Sequence, residues 1–551
     1  MASVTLVHPA TDKERQINDV LDQVLERHMQ PEDRFEVAAI LESLGWNDRR
    51  VSETFGVEDV FALADDLWER MKSKVLFTPF AKVERLSPTE MFMALLRNFL
   101  RGVIFALPMA VSVFSMLTLK FSLWSYEYLS VELATSIAIG TILSFVTVGG
   151  FTQAIARRGF FYIIQGYYNM ARRVTFHFIG LGFVVCVALS VLIFLFNMII
   201  RMFPVSMLGV VILYFFFLNT IWLSVTVMYI LRKELVFTGL IIGGIGVVYL
   251  LFVVFDIDNI ILDQLIALSL VSLSSIALVI YFFRQAERTS EKGIAPQMPK
   301  LSVAMYSTMP YFVYGIMYFA FLYVDRVMSW STNSQYMPYL IWFRGDYELG
   351  LDFALLVLII PMGICEVVLT RMMADIELSQ KAHWGDEAHL MNRAFRRIYY
   401  RMLALIAGVA LLSAIVLYTA LYTVFDRLSI DIGKTLFHHP VTHMVFIVAL
   451  ISYVFLSVGL MNAVILFSLS QPQLTIRAIW PALLTNLVVG FVFSRWMTGL
   501  ERIKGFEGFV NTGHGYAILG LFVGSIVFMV LSIKNTVKVL NNLDYYLYAD
   551  S

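Results

Sequence analysis

The chain has 551 residues, of which 59% are hydrophobic and only 15% charged, and its formal net charge is zero. Ordinary soluble domains carry about 25% charge, so this inventory cannot clothe a water-facing surface around the whole chain. Balanced charge gives no bulk attraction for nucleic acid. The two cysteines, Cys186 and Cys365, lie in apolar stretches without CxxC or Cys/His spacing, which argues against a zinc site or a disulfide framework.

Residues 1–95 have soluble composition. Helical periodicity runs through Ile17, Val20, Leu21, Val24 and Leu25, then through Phe35, Val37, Ala38, Ile40, Leu41 and Leu44, and again from Val60 to Met71. Pro31-Glu32-Asp33 reads as a helix start, and Gly45-Trp46-Asn47-Asp48 as a stop followed by a turn. A small soluble helical domain of three or four helices is expected, without a catalytic constellation. The first long apolar run comes only after it, so no cleavable signal peptide is expected.

Apolar runs then follow near 102–124, 132–155, 174–200, 205–231, 235–255, 260–283, 303–328, 350–374, 402–424, 441–469, 474–494 and 514–534. Each suffices to cross a hydrocarbon core of about 30 Å, which takes around 20 residues. Basic residues recur in alternate loops: Arg97 and Arg101, Arg157 to Arg173, Arg232 and Lys233, Arg284 and Arg288, and Arg371 to Arg401. They outnumber those of the opposite loops by about three to one, which places the headpiece and both termini in the cytoplasm. The expected fold is an all-α polytopic membrane protein of the cell membrane, with about 12 transmembrane helices in two six-helix halves. Its divisions are a headpiece over 1–95, a first half over 96–284, a cytoplasmic linker over 285–302, a second half over 303–540 and a cytoplasmic tail over 541–551. The halves are suggested by two basic, aromatic stretches six spans apart, Arg157 to Arg173 and Asn392 to Arg401, read as interfacial segments.

Ionisable groups inside spans cost free energy and call for a reason. The seventh span holds Tyr311, Tyr314 and Tyr318 on one face, a candidate cavity lining, and then Asp325 and Arg326. Adjacent residues point apart, so those two are expected to find separate partners or to snorkel at the exterior interface. In the eighth span Pro361 and Gly363 predict a bend just before Glu366, a candidate buried acid. The exterior loop before it, about Ser329 to Gly350, is the longest. Asp256, Asp258 and Asp263 make another exterior loop acidic, and solvation is the expected state. Arg157, Arg158, Arg396 and Arg397 are candidates for drawing anionic headgroups or substrate to a cytoplasmic entrance, or simply obey the positive-inside rule. The motifs GxxxxGK[ST], HExxH and GxSxG are missing, so neither an ATP motor nor an enzyme is indicated, and no cofactor or metal is expected.

The run Tyr323-Val324-Asp325-Arg326-Val327-Met328-Ser329-Trp330 resembles the seventh-helix signature of PelG-like exopolysaccharide transporters, with Arg326 where Lys is more usual. Asp346-Tyr347, Ala354, Ile360-Pro361 and Glu366 resemble that family's next stretch. The resemblance implies the multidrug/oligosaccharidyl-lipid/polysaccharide (MOP) flippase superfamily: two helical bundles around a central cavity, exporting a polysaccharide or lipid-linked saccharide by alternating access. Partners so implied are membrane lipids and the glycan substrate; the soluble composition of residues 1–95 and their lack of chemistry suggest in addition that they dock a cytoplasmic glycosyltransferase. A major-facilitator-type transporter is the architectural rival, although Ala154 to Phe160 lacks that fold's Asp. A non-transporting membrane scaffold of a glycan-synthesis complex stays open as well.

Overall fold

The computed structural model describes residues 12–27, 33–77, 88–289, 300–332, 339–382, 388–428, 431–496, 513–543 and 545–546. Pro31, Glu32, most of the 285–302 linker and most of the 541–551 tail lie outside the described residues. The chain forms two compact units, Met1–Leu95 with Arg371–Ile398, and Leu96–Thr370 with Tyr399–Ser551.

In the first unit, α1 (Asp12–Arg27), α2 (Arg34–Ser43), α3 (Asp48–Phe55) and α4 (Val60–Phe77) follow from local chemistry. Asp33 caps α2 by accepting from the Glu36 N–H at 2.8 Å, and Asn47 caps α3 by accepting from Arg50 at 2.9 Å. Gly56, at φ 61°, ends α3 in the left-handed conformation that glycine adopts without strain. Asp48 and Asp59 then receive the first N–H groups of α4. The expected stop at Gly45 is thus the entry to one more helix. Val24, Val37, Leu41, Val51, Phe55, Leu63, Leu67 and Met71 close a core of their own.

The second unit begins within α5 (Pro88–Leu119). The rest of the first half is α6 (Val131–Ile164), α7 (Tyr168–Ile200), α8 (Val205–Ile230), α9 (Glu234–Tyr249) with a π-helical end over Leu250–Val254, and α10 (Ile260–Thr289). The second half has α11 (Leu301–Trp330), α12 (Gly345–Leu355), α13 (Ile359–Ala382), α14 (Ala388–Leu428), α15 (Asp431–His438), α16 (Pro440–Ser468), α17 (Pro472–Trp496) and α18 (Ile518–Asn541). Among the described residues, eleven segments are long and apolar enough to cross a membrane, α12 and α13 forming one of them, and α5 stands in place of the first expected span. This is an all-α membrane protein with a small helical domain before it. Each half has a separate apolar core, one drawn from Phe121 to Phe283 and the other from Tyr314 to Phe528.

Apolar helices gain nothing from hiding apolar surface in lipid, so close backbone approach and interhelical hydrogen bonds hold them together. The two halves repeat the same approaches. Gly140 on α6 presses on Val211, Tyr214 and Phe215 of α8, and Gly350 on α12 presses on Thr442, Val445 and Phe446 of α16. Second against fourth span thus matches eighth against tenth. Between the halves, Gly149 on α6 meets Gly315 on α11, and Gly102 on α5 meets Met362 and Gly363 on α13. Second against seventh matches first against eighth, as a pseudo-twofold axis requires.

Three expectations change. Neither basic stretch is a separate interfacial segment: Arg157 to Arg173 divides at a turn through Gly166 (φ 79°) between the end of α6 and the start of α7, and Asn392 to Arg401 is continuous with α14. The long exterior loop is shorter than expected, since α12 already starts at Gly345. Pro361 lies in the first turn of α13, where its missing N–H is tolerated, and the break falls before it in a 3-10 turn over Leu356–Leu358.

A methyl group at Gly315 would collide with the Gly149 carbonyl, whereas one at Gly243 meets nothing within 4 Å. Gly315→Ala should therefore destabilise the protein by about 1–3 kcal/mol through overpacking. Gly243→Ala should be neutral, or stabilising by up to about 1 kcal/mol through helix propensity. Thermal midpoints of the purified full-length chain check both, and equal midpoints would remove the close seam from the account.

Candidate functional site

The site is built where α11 ends against α12. Asp325 and Arg326 point apart, as adjacent helical residues must. Asp325 is fully buried and accepts from the Tyr347 hydroxyl of α12 at 2.6 Å. Arg326 donates to Glu348 and, at 2.9 Å, to Asp352. Those two carboxylates are four positions apart and so share one face of α12. The second oxygen of Glu348 accepts from the Trp330 indole N–H at 2.9 Å, one turn beyond Arg326 on α11. Arg326 also lies 5.3 Å from the Tyr323 ring centre.

Interfacial snorkelling is therefore the wrong description of Asp325 and Arg326, which are 0% and 8% exposed. An ion pair in such a place holds only when nearly every polar atom is met. Here the guanidinium pairs with two carboxylates, Glu348 and Asp352, while the neighbouring Asp325 adds a third charge beside them; one oxygen of Asp325 and the Nε of Arg326 have no partner. With all three ionised, the group carries surplus negative charge that a proton or small cation would balance. Asp346, at the start of α12, is bound separately by His514 at 2.7 Å. Glu348 and Asp352 are not singled out by the sequence, where Glu348 falls in the expected exterior loop and Asp352 at the very start of the expected eighth span. The usable signal was the i, i+4, i+7 spacing of Tyr347, Leu351 and Ala354.

The other candidates are placed differently. Tyr311 and Tyr314 are buried against Phe467 of α16, at 5.1 and 4.8 Å between ring centres, and Tyr318 stacks on Tyr314. Pro361 is buried; Glu366 is half-buried on α13, beyond the break and away from the cluster. Asp263 is not solvated, in contrast to Asp256 and Asp258: it is fully buried on α10, and neither of its oxygens has a partner. Arg157 donates to Ser470 at 2.8 Å and lies over the Tyr311 ring, and Arg158 donates to Ser307. Both therefore bridge from the first half to the second at the end of α11 opposite Arg326. Arg396 and Arg397 are exposed on α14, within the compact unit that also holds the headpiece.

The two halves thus meet along antiparallel α6 and α11. From one end to the other, Thr135 accepts from the Phe343 N–H at 3.1 Å, Phe145 stacks on Tyr323 and Phe319, Gly149 meets Gly315, and the two arginines follow.

No family model matches the chain, and no curated protein does. Solved structures do. A mutant of the Vibrio cholerae MATE transporter VcmN aligns at 12% identity over 82% of this chain and 97% of its own, with a TM-score of 0.53. The eukaryotic MATE transporter AtDTX14 aligns at 14% identity over 82% and 99%, with a TM-score of 0.52. VcmN in the bent form aligns at 13% identity over 82% and 99%, with a TM-score of 0.51. The likeness shows the fold, that of the MATE transporters.

Removing one member of a buried pair strands the other charge, at a cost of about 3–5 kcal/mol. Arg326→Met should therefore lower the thermal midpoint sharply, while Arg326→Met combined with Glu348→Leu should recover much of the loss. If the single variant melted like the unaltered chain, Arg326 would not be the keystone of this site.

Proposed function

We propose that the chain is a secondary transporter of the cytoplasmic membrane that exports a polysaccharide or lipid-linked saccharide by alternating access. The PelG-like signature of residues 323–330 supports the substrate class, and the MATE-type fold supports the mode of movement. The observation that carries the reading is the seam between the halves. It is tight at its middle, stitched by arginines at one end, and carries a charge-rich cluster on the same helix at the other. Breaking the Arg157–Ser470 and Arg158–Ser307 bridges opens the end of the seam that the basic loops assign to the cytoplasm. Uptake or loss of a proton or cation by the Asp325, Glu348 and Asp352 group biases which end is open, because a ligand shifts an equilibrium only by its differential affinity for the two states. Glu366 remains a second acidic candidate in the same pathway. Both termini and the headpiece are cytoplasmic in this reading, and no bond-making chemistry is assigned.

Arg158→Cys with Ser307→Cys, joined by a short bis-methanethiosulfonate reagent, should abolish saccharide release by producing cells, and reduction should restore it. Asp325→Asn should lower release at least tenfold with normal membrane insertion. Undiminished release from both the cross-linked and the Asp325→Asn proteins sinks the transport reading.

The headpiece, with soluble composition, its own core and no catalytic cluster among the described residues, is proposed to dock a cytoplasmic glycosyltransferase. A chain lacking residues 1–90 should insert normally yet lose that enzyme on affinity purification from membranes. Retention of every co-purifying protein ends the docking idea.

A further inference from the structure

Four aromatic rings meet across the middle of the α6–α11 seam. Phe145 of the first half stacks on Trp222 of α8 at 4.7 Å and 29°, and on Phe319 and Tyr323 of α11 at 5.5 Å each, with interplanar angles of 17° and 18°. All four rings keep partial exposure. The Trp222 indole N–H is shielded from solvent and has no hydrogen-bond partner. Two things follow from the geometry. When the halves part, Phe145 and Trp222 leave with one and Phe319 and Tyr323 with the other, so flat apolar faces lose their partners. In addition, a buried donor that the protein itself leaves unmet is free for a ligand's oxygen, and an unmet buried donor is costly.

We infer that this stack is a sugar-ring subsite. A pyranose ring has a C–H face of aromatic dimensions and a rim of hydroxyls. It enters between Phe145 with Trp222 and Phe319 with Tyr323 as the halves part, laying its C–H face on a ring and a hydroxyl oxygen on the Trp222 N–H. Aromatic faces attract cations too. Among the described residues, the charged group in ring contact with the stack is the Arg326 guanidinium, 5.3 Å from the Tyr323 centre and itself paired with Glu348 and Asp352. A cation is therefore the competing occupant of these rings, and the test includes one. This subsite rests on the saccharide-export reading and names where the substrate is held in it.

The test is titration of the full-length chain in lipid nanodiscs with maltohexaose and chitohexaose, and with tetraphenylphosphonium as the cationic probe, by calorimetry. At least one hexaose should bind. Trp222→Phe, which keeps the ring and loses the N–H, should weaken binding about tenfold, the equivalent of one hydrogen bond. Phe145→Leu should weaken it at least as much. Phe455→Leu, at an aromatic pair with Phe522 elsewhere in the second half, should bind as the unaltered chain does. Thermal midpoints measured alongside exclude variants that fail to fold. The subsite is overturned if neither hexaose binds, if Phe145→Leu and Trp222→Phe bind undiminished, or if only tetraphenylphosphonium binds through Phe145. If release responds to cross-linking and Asp325→Asn while hexaose binding ignores Phe145 and Trp222, export stands and the subsite falls. The reverse pattern leaves the subsite and removes the export.

Discussion

The absence of a side chain at Gly149 and Gly315 is the constraint on which the membrane unit turns. Because neither residue has a Cβ, the backbones of α6 and α11 touch, and everything placed along those helices is thereby matched across the seam. Phe145 reaches Phe319 and Tyr323 on one side of the contact, and Arg157 and Arg158 reach Tyr311 and Ser307 on the other. A larger residue at either position would push the helices apart and break both sets together. The related contact of Gly102 with Gly363 means that the halves are joined at two equivalent places.

The charge cluster depends on α12 in a comparable way. A charged side chain inside a bundle is tolerated only beside partners that meet its hydrogen bonds. Arg326 finds them because α12 presents Glu348 and Asp352 on one face and Tyr347 on the next. Gly350 holds that helix in place, since its bare backbone lies against Thr442 and Phe446 of α16. Had the segment been a loop, neither carboxylate would have been fixed, and Arg326 would have had to turn out to solvent.

Much of this could be read in advance. The twelve apolar runs are legible because bilayer thickness sets their length, and the headpiece helices because their apolar residues recur at helical spacing. Asp325 and Arg326 stood out because ions are rare in apolar runs. What escaped notice depends on neighbours distant in sequence. Glu348 looked like a loop residue because the polar Gly345-Asp346 start of α12 masked its short amphipathic pattern, and Asp352 stood at the edge of the expected span. Arg157 and Arg158 obey a loop-charge rule, and nothing local says that they reach Ser470 and Ser307. The burial of Asp263 is likewise a property of what packs over α10, not of its own acidic neighbourhood.

The two ends of α11 answer to different chemistry. Near Trp330 the helix is tied to α12, within its own half, by charge and by the Tyr347 hydroxyl. Near Leu301 it is tied to the opposite half by Arg158, which donates to Ser307, and by Arg157 over the Tyr311 ring, contacts between a cation and neutral groups. Protonating a carboxylate acts on the first set directly and leaves the second untouched. Its effect can reach the arginine end only through α11 itself, moving as a rigid element past the glycine contact. A helix that is charge-tied at one end, hydrogen-bonded at the other and bare where it crosses its partner has the construction of a lever. The stacked rings beside that crossing are the first surfaces its movement would separate.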